Sequence, residues 1–198
     1  MKLVIASSNQ GKIKEIKEIL GDYFEEIVSM KDVGLHLEIE ETGETFCENA
    51  QIKALAVYSA TGMCALSDDS GLAVEALGGA PGVYSARYSG EGANDKKNNE
   101  KLLAALEGVP YPRRSAAFVC CVALVRPDLP TLFAQGECSG IIGLQEKGEN
   151  GFGYDPLFYV PQLDKTFAQI DNEVKNSMSH RSRALQKLKE MLEQEKQI

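Results

Sequence analysis

Two adjacent carboxylates follow a short apolar stretch in the first half of the chain. Residues 63–66 have the composition of a buried strand, and Asp68, Asp69, Ser70 and Gly71 come shortly after it. In open α/β sheets, ligands bind just beyond the carboxyl ends of the strands. Two acids at such a place are costly unless a cation or a proton neutralises them. The pattern predicts a metal-assisted site, and the alternative is an ordinary Asx turn in which Ser70 caps the following segment.

A small polar loop near the N-terminus is a candidate phosphate-binding site. Residues 2–6 read as a buried strand, and an amphipathic helix that stops at Gly21 follows the loop. The loop consists of Ser7, Ser8, Asn9, Gln10, Gly11 and Lys12. Backbone N–H groups at a helix start can receive a phosphate, and Lys12 would add an ammonium group. The glycines of a Walker A loop are absent, and the alternative is a loop that only caps the helix.

Further acids precede the next predicted helix, which begins at Thr45 with the capping-box partner Glu48. Acidic residues near a helix start are favoured by the helix dipole, which is the structural explanation for them. Glu40 and Glu41, however, lie before the first turn. We expect one of them to join Asp69 around a hard cation, and Mg²⁺ suits oxygen ligands combined with substrate phosphates.

Two later segments carry groups that suit a nucleotide. Residues 148–156 are rich in glycine and contain Phe152 and Tyr154, so a ring could stack on a ligand, or the rings could simply fill the core. Positive charge and hydrogen-bond donors gather at Lys175, His180 and Arg181, just before an amphipathic terminal helix. A single histidine at a helix start is otherwise a capping or surface group.

The chain of 198 residues carries a net charge of −8, which argues against non-specific nucleic-acid binding as its main role. No apolar stretch is long enough to span a membrane or to serve as a signal peptide, so we expect a cytoplasmic protein without a membrane partner. The cysteines show no metal-ligand spacing, and we expect all five to be reduced core residues. They are Cys47, Cys64, Cys120, Cys121 and Cys138.

Two predicted strands decide the sheet type. Residues 116–125 and 131–138 are joined by a short turn at residues 127–130, so they must run antiparallel. We therefore predict an α/β protein with a mixed sheet, organised as a single domain over residues 1–198.

Taken together, separated motifs resemble those of the inosine/xanthosine triphosphate pyrophosphatase family. The loop 7–12 resembles the family's [ST]xNxxK loop, and residues 68–72 with the glycine loop 78–82 resemble its acidic segment. Residues 152–156 (FGYDP) and 179–181 (SHR) match its later motifs. The similarity extends from residue 2 to residue 192.

The resemblance implies a two-lobed α/β fold with a long mixed β-sheet flanked by helices, a substrate cleft between the lobes, and a homodimer. It implies hydrolysis of ITP, dITP and XTP to the monophosphate and pyrophosphate, which removes these non-standard purine nucleotides from the nucleotide pool. Mg²⁺ is the implied cofactor, and no nucleic-acid partner is expected.

The resemblance also assigns roles to residues. Asp69 is the implied catalytic base and a metal ligand, Lys12 assists catalysis, and Glu40 is the second metal ligand unless its neighbour Glu41 takes that place. The implied substrate-binding residues are Ser7, Ser8, Asn9, Gln10, Gly11, Lys12, Ser70, Phe152, Gly153, Tyr154, Asp155, Lys175, His180 and Arg181.

Donors on His180 and Arg181 would pair with the 6-oxo group of hypoxanthine or xanthine and would face a donor in adenine. Two other functions are compatible with the same motifs. One is a nucleotide sensor without catalysis, and the other is a related pyrophosphatase that prefers pyrimidine or modified nucleotides, as Maf-type proteins do.

Overall fold

The computed structural model describes residues 1–196, except for the side chain of Asn172. The strands are β1 (Lys2–Ile5), β2 (Glu26–Ser29), β3 (Cys64–Val74), β4 (Ser115–Arg126), β5 (Leu129–Ile142), β6 (Phe158–Val160) and β7 (Lys165–Thr166). The α-helices are α1 (Gln10–Leu20), α2 (Phe46–Thr61), α3 (Asp95–Ala105), α4 (Asn172–Met178) and α5 (His180–Glu195). Among the described residues, no helix combines the length and the apolar character needed to cross a bilayer.

The seven strands form one mixed sheet in the order β2-β1-β3-β4-β5-β6-β7. Strand β1 pairs in parallel with β2 and with β3, whereas β6 pairs antiparallel with β5 and with β7. Only two residues connect the neighbours β4 and β5, so this pair is a hairpin. The prediction of an α/β fold with a mixed sheet is confirmed.

Local sequence signals define the ends of α2. The Thr45 side chain accepts a hydrogen bond from the Glu48 amide, and the Glu48 carboxylate accepts from the Thr45 amide at 3.0 Å. This is the predicted capping box, which satisfies backbone donors that the helix itself leaves unpaired. At the other end, Gly62 adopts a left-handed conformation that stops the helix.

Strand β3 is longer than the sequence predicts. The adjacent acids were expected to lie beyond the end of a strand near residue 66, but β3 continues through both of them to Val74. The expectation was wrong because β3 is also hydrogen-bonded to the neighbouring strand β4, and such pairing outweighs the weak strand propensity of aspartate. Successive side chains of a strand point to opposite faces, so Asp68 and Asp69 must face different surroundings.

The chain divides into two compact units. The first comprises residues 1–69, 120–136 and 180–196. Its main core packs α1 and α5 against apolar residues of β1 and β3, including Leu3, Ile5 and Leu66. The second comprises residues 70–119 and 137–179. Its core contains the packed rings of Phe118, Phe158 and Phe167.

Two of the cysteines form a disulfide. Cys47 in the first turn of α2 is bonded to Cys121 in β4, whereas Cys64, Cys120 and Cys138 are free and buried. The expectation that all five cysteines are reduced was therefore wrong for this pair. The two residues are 74 positions apart, and only the packing of α2 against the sheet brings them together.

Candidate functional site

Asp68 is the centre of a buried charge cluster in the first unit. Its Oδ2 lies 2.9 Å from Nζ of Lys12 in α1 and accepts a hydrogen bond from Nε of Arg181 at 3.0 Å. The Arg181 guanidinium also contacts Glu15 of α1, with Nη1 3.4 Å from Oε2. Asp68, Glu15 and Arg181 are all buried. Because α1 and α5 pack against each other, this face of the sheet brings two cations to one carboxylate.

Charge balance keeps Asp68 ionised. Burial alone would raise the pKa of Asp68, but the charges of Lys12 and Arg181 and their hydrogen bonds outweigh burial and lower its pKa. The same carboxylate contributes to raising the pKa of Arg181 against the effect of burial. The cluster therefore fixes the side chains of Lys12 and Arg181 beside one buried carboxylate.

The loop before α1 acts as a helix cap. The side-chain oxygen of Asn9 accepts a hydrogen bond from the backbone N–H of Lys12 at 3.1 Å. The backbone N–H of Asn9 donates to Ser7 Oγ at 3.1 Å. The capping role that the sequence allowed is thus present. Ser8, Gln10 and Gly11 of the predicted phosphate loop are exposed, and the Lys12 side chain is largely buried.

Asp69 belongs to a different set of residues, all on or beside α2. Nζ of Lys53 lies 3.1 Å from Asp69 Oδ1 and 2.7 Å from Oε1 of Glu41. The Asn49 amide donates to Asp69 Oδ2 at 3.3 Å, while Asn49 Oδ1 accepts from the backbone N–H of Gly43 at 2.8 Å. Lys53 therefore connects the two carboxylates, and Asn49 links Asp69 to the segment that carries Glu41.

Asp69 is poised to take up a proton more readily than an ordinary aspartate. Burial raises the pKa of Asp69, the charge of Lys53 opposes that shift, and the nearby carboxylate of Glu41 adds to it. Lys53 has a raised pKa because the attraction of Asp69 and Glu41 outweighs burial. The arrangement is a pair of carboxylates with one cation between them.

The two neighbouring glutamates are placed differently. Glu41 is part of the Lys53 bridge to Asp69, whereas Glu40 is exposed. Within residues 1–196, no three side chains of His, Cys, Asp or Glu are grouped so as to hold a metal ion by themselves. Mg²⁺ commonly takes only one or two protein carboxylates together with phosphate oxygens. Asp69 and Glu41 fit that donor set, because their carboxylates converge on a position that a positive charge, the Lys53 ammonium, already occupies.

The second unit contains its own group of predicted site residues. Lys175 of α4 lies 2.5 Å from Asp155 Oδ2, which also accepts a hydrogen bond from the Phe152 amide at 2.9 Å. The Lys175 ammonium is 4.7 Å from the centre of the Phe152 ring. The ring itself is 60% exposed, which is unusual for phenylalanine and leaves a face available for stacking.

The remaining predicted residues occupy varied positions. Tyr154 is buried, and its hydroxyl donates to the Ser85 carbonyl at 2.8 Å, so this ring fills the core as the alternative interpretation held. Ser70 lies in β3 directly after Asp69. His180 is the buried first residue of α5.

Sequence reasoning missed Lys53, Asn49 and Glu15. The polar residues Asn49 and Lys53 are four apart and lie next to Ala50 and Ala54, which are buried. Polar residues on a buried helix face need partners, and this was the available signal. Glu15 gave the same signal, because it stands between the apolar positions of α1.

Comparison with known proteins places these motifs in a family. The family model described as the Ham1 family matches residues 3–191. A protein of Desulforamulus reducens named dITP/XTP pyrophosphatase is 53% identical over 97% of this chain and 96% of its own length.

Solved structures agree with the fold. The structure of the Staphylococcus aureus Ham1 protein is 47% identical, covers 98% of this chain and 100% of its own, and has a TM-score of 0.91. A HAM1 protein from Coxiella burnetii is 43% identical, covers 98% of this chain and 99% of its own, and has a TM-score of 0.90.

Proposed function

Because this chain belongs to the Ham1 family, we propose that it hydrolyses non-standard purine nucleoside triphosphates, namely ITP, dITP and XTP, to the monophosphate and pyrophosphate. The name dITP/XTP pyrophosphatase of relatives at about half identity supports this reaction. Removal of these nucleotides from the pool is the proposed role, and the cytoplasm is its proposed place. A homodimer is proposed from the resemblance alone.

One observation carries the proposal: two neighbouring aspartates of β3 form ion pairs with two different sets of residues. Asp68 holds Lys12 and Arg181, whereas Asp69 is paired with Lys53 beside Glu41. Triphosphate hydrolysis needs a cation for the phosphate charge, the role we propose for Lys12, and a carboxylate for the attacking water, the role we propose for Asp69. The pattern supplies both within the first unit.

Asp69 and Glu41 would hold Mg²⁺, which when bound supplies charge neutralisation at the phosphate oxygens. Asp69 would accept a proton from the water that attacks the α-phosphorus. The bond from that phosphorus to the pyrophosphate oxygen then breaks. Lys12 would stabilise the negative charge on the departing pyrophosphate.

The substrate-binding roles of the other residues follow from the resemblance. The loop 7–12 would contact the triphosphate, and Ser70, Lys175 and the segment 152–155 would contact the nucleotide. Phe152 would stack on the base, which gives affinity for any base. Arg181 and His180 would supply donors to the 6-oxo group, and a site that pairs with this group discriminates against adenine.

The decisive experiment compares turnover of ITP, XTP, GTP, dTTP and ATP with Mg²⁺, measured as pyrophosphate release. We expect ITP and XTP to be the best substrates. Asp69→Asn should abolish turnover while circular dichroism shows an intact fold, since the variant keeps the size of the side chain and loses its basicity. Full activity of Asp69→Asn would refute its role, and preference for dTTP would refute the substrate class.

A paired comparison tests the second metal ligand. We propose Glu41 for this role, because it is the glutamate that reaches Lys53 beside Asp69. Glu41→Gln should raise the Mg²⁺ concentration needed for half-maximal turnover more than Glu40→Gln does. The two variants make the same chemical change one residue apart, so a larger effect of Glu40→Gln would reverse the assignment.

A further inference from the structure

The exposed ring of Phe152 belongs to a loop whose backbone is held firmly. The Phe152 amide donates to Asp155 Oδ2, and the same carboxylate is paired with Lys175. An exposed aromatic ring on a fixed backbone is suited to stacking, because little conformational freedom is lost when a ligand binds. A residue that fixes this loop therefore affects binding even when it does not itself touch the ligand.

Helix α3 holds the residue that follows the ring. The Gly153 N–H donates to Asp95 Oδ2 at 2.7 Å, and the Gly153 carbonyl accepts from Asn99 Nδ2 at 3.1 Å. Asp95 and Asn99 are four residues apart and so lie on one face of the helix. Gly153 has a φ of 61°, a conformation that other residues rarely adopt. Both backbone hydrogen-bonding groups of Gly153 are thus taken by one helix.

Asn99 is not an ideal core residue. It is 2% exposed, and its Nδ2 also donates to Glu146 Oε1 at 2.7 Å. Its Oδ1, however, receives no hydrogen bond from any residue within 1–196. A buried acceptor without a donor is unfavourable. The hydrogen bond from its side-chain amide to the Gly153 carbonyl therefore explains the residue better than a contribution to stability does.

We propose that Asp95 and Asn99 are positioning residues for base binding, which fix the Gly153 peptide so that the Phe152 ring stands ready to stack on the purine. The inference rests on the proposed function, which assigns Phe152 to the base. Loss of either contact leaves the ring in place but allows it more conformations. Nucleotide affinity then falls, while the chemistry at Asp69 is unchanged.

The chain contains no tryptophan, which makes a direct test possible. Phe152→Trp introduces the only tryptophan, which keeps an aromatic face and can be excited selectively over the seven tyrosines. In this background, Asn99→Ala should increase the local rotation of Trp measured by time-resolved anisotropy without nucleotide. It should also weaken binding of inosine 5′-monophosphate, followed by fluorescence quenching. With Phe152 present, the KM for ITP should rise roughly three- to tenfold with little change in kcat.

The neighbouring residue provides a matched control. Asn98 is 3% exposed on the same helix, accepts from the Ser89 amide, and donates to the carbonyls of Ser85 and Ala86. Because these contacts use both ends of its amide, Asn98→Ala should lower the melting temperature more than Asn99→Ala. Because Asn98 does not contact Gly153, this variant should change the rotation of the reporter at position 152 much less than Asn99→Ala does.

A conservative variant separates positioning from a general structural role. Asp95→Asn keeps an oxygen that can accept from the Gly153 N–H, so it should retain more of the nucleotide affinity than Asp95→Ala. Equal losses in the two Asp95 variants would contradict the proposal.

The outcomes distinguish the two hypotheses. Unchanged anisotropy in Asn99→Ala, or an equal change in Asn98→Ala, would overturn the positioning role. Increased rotation with unaltered affinity for inosine 5′-monophosphate would overturn the link to base binding. Absence of pyrophosphate release from ITP by the wild-type protein would instead refute the proposed function, and the ligand-free anisotropy comparison would still test the loop.

Discussion

Gly136 of β5 lies directly beneath the first turn of α5, which carries His180 and Arg181. A Cβ atom at this position would be 2.2 Å from the His180 carbonyl oxygen and 2.4 Å from the Ala184 amide nitrogen. Both are backbone atoms, so no side-chain rotation can relieve the overlap. Gly136→Ala should therefore push the start of α5 away from the sheet.

The size of the effect follows from these distances. Ordinary contact begins near 3.4 Å, so the helix must retreat by roughly 1 Å. That movement would stretch the 3.0 Å hydrogen bond from Arg181 to Asp68 beyond a useful length. Overpacking of this kind costs about 1–3 kcal/mol. For a chain of this length, the melting temperature should fall by roughly 2–12 °C.

Thermal unfolding and ITP turnover provide the assay. Gly136→Ala should lower both the melting temperature and kcat/KM for ITP. Gly21→Ala is the matched control, because Gly21 has helical φ and ψ angles and a Cβ there meets nothing within 4 Å. This control should raise the free energy of unfolding by about 0.4–1 kcal/mol. A Gly136→Ala protein with the stability and turnover of the wild type would refute the reasoning.

Two further predictions concern α2. Lys53→Met removes the cation between Asp69 and Glu41 and should lower the free energy of unfolding by about 1.5–3 kcal/mol. In thermal scans, Mg²⁺ should raise the melting temperature of this variant more than that of the wild type. Equal responses of the two proteins to Mg²⁺ would contradict the pairing. Cys47→Ser removes the disulfide to Cys121 and should cost up to about 4 kcal/mol. Before reduction, the denatured wild type should titrate three thiols, and a count of five would show that the disulfide is absent.

Much of the fold could be predicted from local patterns. The apolar spacing of α1, the capping box of α2 and the hairpin of β4 and β5 each depend on residues close together in the chain. These signals determine where helices begin and end, and they were sufficient for the α/β class and the mixed sheet. The length of β3 could not be predicted in this way, because its second half is a strand only through pairing with distant segments.

The candidate site shows the same division. The charged loops and the acidic pair were visible as residues, but their partners were not. Lys53 could not be matched to Asp69 from spacing alone. The choice between Glu40 and Glu41 stayed open, because the sequence of a loop does not show which of two adjacent side chains points inward.

The sequence by itself determined that this protein is an α/β chain with adjacent acids, a polar loop before its first helix and basic residues around the start of its last helix. Only the tertiary structure decided that Asp68 and Asp69 separate, the first to α1 and α5 and the second to α2. The physical reason is the alternation of side chains along a strand: once pairing extends β3 through both residues, neighbours in sequence must face opposite sides of the sheet.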